Sequence, residues 1–106
     1  MKLIFAIVHD EDAGRVTDTL NSAEFSVTKL CSTGGFLRAG NTTLLIGVED
    51  NLVDSVLEII ERNSNKRTEC LRYPIPSGSL YIPSSKEVEV GGATIFVTSV
   101  ERFEKV

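Results

Sequence analysis

Lys2-Leu3-Ile4-Phe5-Ala6-Ile7-Val8, followed at once by His9-Asp10-Glu11-Asp12, is the stretch on which the fold turns. Its alternating sets, Leu3/Phe5/Ile7 and Ile4/Ala6/Val8, are both apolar, the pattern of a central strand buried on both faces. Asp10 is placed to cap a helix, and Glu11 and Asp12 suit the positive end of its dipole. Ala13, Val16, Leu20 and Ala23 then recur at helical spacing through about residue 23.

The pattern continues outward from there. Phe25 to Ser32, rich in aromatic and β-branched types, predicts a second strand, which Thr33-Gly34-Gly35 breaks. Asn41 to Val48 predicts a third. Asp50 is the next helix cap, with Leu52, Val53, Val56, Leu57 and Ile60 on one stripe. Beyond Asn63-Ser64-Asn65, Lys66 to Tyr73 reads as extended. Pro74, Pro76, Gly78 and Pro83 then punctuate a loop that should not be regular throughout. Glu87-Val88-Glu89-Val90 alternates, with both glutamates on its polar face. Gly91-Gly92 turns, and Ala93 to Val100 is the last strand. The order β-α-β-β-α-β predicts an α+β, ferredoxin-like fold: an antiparallel sheet with two helices on one face and an inserted loop or hairpin before the last strand. No repeat or low-complexity tract interrupts it, and 106 residues fit a single domain spanning 1–106.

Composition removes several classes of function. With 15 acidic against 11 basic residues the net charge is −4, and no Lys/Arg cluster offers the footprint that DNA or RNA requires. No apolar run approaches the roughly 20 residues of a membrane span. The apolar start lacks a small-residue cleavage site, so the expected location is the cytoplasm. Cys31, Cys70 and the single His9 are too few for a structural zinc site of about four ligands. Two buried free thiols fit the cysteines better than a disulfide.

The densest cluster of unusual residues is Thr28-Lys29-Leu30-Cys31-Ser32-Thr33-Gly34-Gly35-Phe36-Leu37-Arg38-Ala39-Gly40-Asn41-Thr42-Thr43. Gly35 to Thr42 nearly spells a phosphate loop, but Asn41 stands where the lysine should be, and a strand follows where a helix must begin. Glycine amides can still form an anion-binding nest, and Phe36 can present a ring to a base. On spacing alone a binding loop and a plain hairpin loop both fit. His9 beside Asp10-Glu11-Asp12 reads as a solvated loop histidine next to helix-capping acids. No nucleophile elbow or metal-binding helix motif is present, so no catalytic residue is expected.

With its motifs laid out, the sequence resembles the PstA/DarA family of PII-like signalling proteins. The likeness lies in Thr28-Lys29-Leu30, in Thr33 to Thr43, at Gly47-Val48, and in Val88-Glu89-Val90-Gly91-Gly92-Ala93-Thr94-Ile95-Phe96-Val97. It runs essentially the whole length from Ala6-Ile7-Val8. The resemblance implies a homotrimer, not an enzyme, that senses cyclic di-AMP in clefts between subunits and signals to a downstream protein partner. It needs no other cofactor. Carried onto this chain, the binding residues are Thr28, Gly34, Gly35, Phe36, Leu37, Asn41, Gly47 and Phe96. Phosphates and base edges would meet the Gly34 and Gly35 amides and the Thr28 hydroxyl. Phe36 and Leu37 would cover an adenine, and Asn41 would make paired amide contacts to an adenine edge. Gly47 would allow close approach, while Phe96 fits either the apolar wall of the cleft or plain core packing. Glu24 and Ser26 stand where the family carries Asn and Arg, which removes a cation and adds a like charge near a dianion. The loop from Tyr73 to Pro83 is shorter than usual, and the tail Arg102-Phe103-Glu104-Lys105-Val106 departs from the family's His-Gln-Phe ending. A divergent interaction module that has lost or changed its nucleotide is the alternative. The trimer also has a physical motive. Helices on one face leave the other, rich in β-branched residues, needing cover, and packing about a threefold axis supplies it.

Overall fold

The structure, a computed structural model, describes residues 1–30, 40–77 and 80–106, with backbone alone for 68–77 and 80–90. Strand β1 (Lys2–His9) leads into helix α1 (Asp10–Ser22), followed by β2 (Val27–Leu30) and β3 (Asn41–Val48). A single 3-10 turn, Asp50–Leu52, precedes α2 (Val53–Asn63). Strands β4 (Arg67–Ser77), β5 (Leu80–Val90) and β6 (Ala93–Ser99) complete the chain. The main sheet has the order β2-β3-β1-β6 and is antiparallel throughout, the ferredoxin-like arrangement expected from the element order.

One face of this sheet forms the core. Ile4, Ala6 and Val8 of β1 and Leu44, Ile46 and Val48 of β3 pack against Ala13, Val16 and Leu20 of α1 and Val56, Ile59 and Ile60 of α2. Burying each large aliphatic here is worth roughly 1.5–3 kcal/mol. The opposite set, Leu3, Phe5 and Ile7, is only half-buried. Within the described chain β1 is therefore covered on one side, not two. Its doubly apolar pattern reflects a second face that no element of the described chain covers.

Several boundaries shift from the sequence reading. His9 is the final residue of β1 and occupies the N-cap position of α1, half-buried and opposite Asn41, so it is not a solvated loop residue. Asp10 is already helical, and its carboxylate accepts a hydrogen bond from the Thr42 hydroxyl (2.5 Å), which pins the helix start to β3. Likewise Glu49 takes the cap position expected of Asp50. Asp50 instead meets the N-terminal ammonium at 2.9 Å, and that hydrogen bond, then the charge, holds its carboxyl below the ordinary value. Leu52 lies in the 3-10 turn and is exposed, as is Ala23, which has passed the end of α1.

Phe25 and Ser26 precede β2 because they belong to the end of α1. The Phe25 amide donates to Leu20 O and the Glu24 amide to Asn21 O, a complete Schellman motif. That motif needs a left-handed residue, and Glu24 takes it with φ 67°. Gly and Asn enter the left-handed region readily, whereas Glu adopts it only at a steric cost. Glu24→Gly should therefore raise stability by about 0.5–1 kcal/mol, read as a higher urea midpoint. Glu24→Ala, which removes the charge but keeps the strain, should not.

The proline-containing insertion is more regular than the sequence suggests. β4 and β5 pair along eleven residues each as a separate two-stranded sheet, with Pro74 opposite Pro83 and Pro76 opposite Tyr81. Positions 74 and 76 share one edge of the ribbon. Where that edge points outward, a missing N–H removes no ladder bond. Gly91 and Gly92 do not close a β5–β6 hairpin. They carry the chain from the ribbon back to the main sheet, with φ of 86° and 87°. A Cβ on Gly91 would collide with the Asn65 carbonyl oxygen, so only glycine fits there. The Gly92 amide donates to Ser64 O, joining the chain's exit to the ribbon with its return.

Candidate ligand-binding face

Strand alternation and register decide which side chains share the helix-free face. Thr28 pairs with Leu45, Leu45 with Phe5, and Phe5 with Phe96, giving one row across all four strands. Asn41 and Gly47 lie on β3 at even steps from Leu45, on the same face. Four of the sequence-derived candidates, Thr28, Asn41, Gly47 and Phe96, thus converge on one surface. Phe96 is 58% exposed, so it is not part of the described core. Lys29 pairs with Leu44, a core residue, and so belongs to the helix side. Gly34, Gly35, Phe36 and Leu37 lie outside the described residues, as does Cys31. The side chains of Cys70, Glu87 and Glu89 also lie outside what is described.

The four residues are not gathered in a single hollow. Thr28 and Gly47 line one of about 600 Å³, walled by Leu3 and Leu45 and bordered by Phe103 and Lys105 of the C-terminal segment. No described atom beyond its chain neighbours lies within 4 Å of where a Gly47 Cβ would be. Asn41 lines a second, smaller hollow near the far end of β1, with His9, Lys66 and the Gly91-Gly92 backbone. Leu45 and Asn41 are four residues apart along β3, roughly 13 Å. Phe96 stands two strands from Leu45, roughly 10 Å across the sheet. Bridging these points takes an extended ligand, a neighbouring subunit, or both.

The electrostatics vary along the face. Ser26 borders the Thr28 hollow without a charge, and Glu24 lines the adjoining depression with Ser26 and Gly47. Thr43, beside Ile7 and Leu30, is buried, and its hydroxyl has no hydrogen-bond partner among the described residues. No group of three or more potential metal ligands occurs among the described residues. No helix among them is long and apolar enough to cross a membrane. The sequence reading missed Leu3 and Leu45, whose alternation looked like ordinary core, and the tail residues Phe103 and Lys105, which follow no periodic pattern.

A four-stranded antiparallel sheet with helices on one face, and an apolar second face that no described element covers, is the architecture of the PII-like class. The chain belongs to the cyclic-di-AMP receptor family, whose sequence model matches residues 1–106, and this is a family of receptors rather than enzymes. Among solved structures it is similar to a functionally unknown protein from Pediococcus pentosaceus, at 41% identity and a TM-score of 0.77. That match covers 99% of this chain and 96% of the other.

Proposed function

We propose that the protein is a cytoplasmic, single-domain, homotrimeric sensor of cyclic di-AMP that binds its ligand in clefts between subunits and passes the signal to a protein partner. The observation that carries this reading is the family match over the whole chain, joined to the placement of Thr28, Asn41, Gly47 and Phe96 on one uncovered face. The apolar row Phe5, Leu45 and Phe96 gives a second subunit something to bury. The hydroxyl, amide and glycine positions around it suit phosphates and adenine edges. The Gly34–Leu37 segment, which joins β2 to β3, is assigned to the same site.

Calorimetric titration of the full chain with a panel of cyclic and linear nucleotides tests the reading, alongside sedimentation equilibrium. Saturation by cyclic di-AMP and a mass three times the 11.6 kDa chain are expected. A monomer at micromolar concentration would remove the cleft, and a trimer that binds no nucleotide would favour the interaction module. The positional claim is sharper. Asn41→Ala should weaken binding by about tenfold, since an adenine edge loses its partner at a cost of roughly 1–3 kcal/mol. Lys29→Ala, on the helix side, should change it far less, through screened electrostatics alone. Equal or reversed losses would place the ligand elsewhere.

A further inference from the structure

Charge is sorted along the β4–β5 ribbon. Besides Arg67, which is bound to Asp12, the rungs nearest the body carry the acids Glu69, Glu87 and Glu89. Arg72 and Lys86 follow on adjacent rungs, opposite Ser85 and Leu71. Residues 73–85 then carry no charge, and they hold both tyrosines and all three prolines of the chain. Alternation puts Leu71, Tyr73, Ile75, Leu80 and Ile82 on one face of the ribbon. Neither strand pairs with the main sheet, and a two-stranded ribbon is marginal unless something takes up one of its faces. The prolines fall on one type of rung. Pro74 faces Pro83, and neither can donate, so that rung is non-hydrogen-bonded, with its backbone nitrogens on the outer edges. Pro76 and Tyr81, two residues on, form a rung of the same type. In the outer half of the ribbon, three of the four edge positions that would present an N–H to the surroundings therefore have none. Water satisfies such groups at little cost, whereas a poorly hydrated medium does not.

We infer that the outer half of the ribbon docks on an anionic lipid surface, its apolar face at the boundary between headgroups and acyl chains and Arg72 and Lys86 at the level of the phosphates. Each feature of the ribbon has a counterpart there. Tyrosine suits the membrane–water interface, and paired cations gain from its negative surface potential. The missing N–H groups lower the cost of drying the outer backbone. From the Arg72 rung to the last rung, Ser77 opposite Leu80, is five residues, roughly 17 Å, enough for a tilted ribbon to cross the headgroup layer. The chain's net charge is −4, so an anionic surface repels the molecule as a whole. The ribbon carries its two cations ahead of its acids. Strand addition to a protein fits less well, because it needs the edge donors that the prolines remove. This docking requires neither the nucleotide nor the trimer.

The test uses the full chain and vesicles of phosphatidylcholine, with or without phosphatidylglycerol, at low and high salt. The chain has no tryptophan, so Tyr73→Trp supplies a single fluorescent reporter alongside sedimentation with the vesicles. The protein should sediment with the anionic vesicles at low salt, with the indole emission moved to shorter wavelength. It should do so far less with phosphatidylcholine alone or at high salt. Arg72→Ala combined with Lys86→Ala should weaken binding by about tenfold to thirtyfold, whereas Arg72→Lys combined with Lys86→Arg should preserve it. Ile75→Ser combined with Ile82→Ser should weaken binding by about tenfold and leave its salt dependence intact. All four positions lie outside the described core, and an unchanged melting temperature shows that the body is intact. No binding to anionic vesicles at low salt would overturn the proposal and favour a protein surface as the ribbon's partner. Binding that survives both Arg72→Ala/Lys86→Ala and Ile75→Ser/Ile82→Ser would overturn it too, since another part of the chain would then be the anchor.

Discussion

Arg67→Met is expected to lower stability by about 3 kcal/mol, more than most surface arginines could, because the carboxylate it serves is fully buried. Asp12 Oδ1 accepts from Arg67 at 2.9 Å and from Arg15 at 3.0 Å, while its Oδ2 has no hydrogen-bond partner among the described residues. Arg15 also donates to Asn63 O, at the end of α2, at 2.8 Å. Asp12 therefore joins the start of α1, the end of α2 and the root of the β4–β5 ribbon. Removing Arg67 leaves a buried charge with one half-exposed counterion. Because the Arg67 side chain is itself 34% exposed, solvent offsets part of the loss, which places the estimate at the lower end of roughly 3–5 kcal/mol. Asp12→Leu combined with Arg67→Met should be more stable than Arg67→Met alone, since the double variant buries no unpaired charge. Urea unfolding of the wild type, both single variants and the double variant closes the cycle. Additive losses would show that the pair is not coupled.

That network illustrates what the sequence could and could not reveal. Asp12 sits in a run of three acids at a helix start, where a favourable interaction with the dipole is the ordinary reading. Its partner Arg67 is 55 residues away, and no periodicity links the two. By contrast, Ile4, Val16, Leu20, Leu44, Ile46, Val56 and Ile60 are buried where alternation and helical spacing place them, because burial acts on every turn or every second residue. The ribbon was obscured because prolines signal irregularity unless their nitrogens face outward, and one chain does not state which way they face. The candidate site was half legible. Thr28, Asn41, Gly47 and Phe96 were selected through family motifs, and register then places them on one face. The separation between the Thr28 and Asn41 hollows, and the tail that walls the first, arise from tertiary placement alone.

Gly47→Leu should abolish most nucleotide binding while leaving the subunit folded. Glycine in a strand usually marks a bulge, a bend or a close approach of something outside the strand. Here β3 runs in unbroken register past Gly47, which pairs with Leu3, so no bulge requires it. Its backbone is not left-handed, and a Cβ would meet nothing within 4 Å among the described residues, so a side chain fits there without strain. Replacing glycine also removes backbone freedom from the unfolded chain, which offsets any stability loss. A leucine would instead occupy the hollow between Thr28, Leu3 and Phe103 that the ligand is proposed to fill. A loss on the order of a hundredfold, about 2.7 kcal/mol, is the expected outcome. Gly47→Ala should give a smaller loss, because a methyl takes up less of the same space. Calorimetry after sedimentation and thermal unfolding separates the effects. Wild-type mass and melting with lost binding support a ligand seated against Gly47, whereas binding retained within about threefold moves the ligand to the Asn41 end of the face.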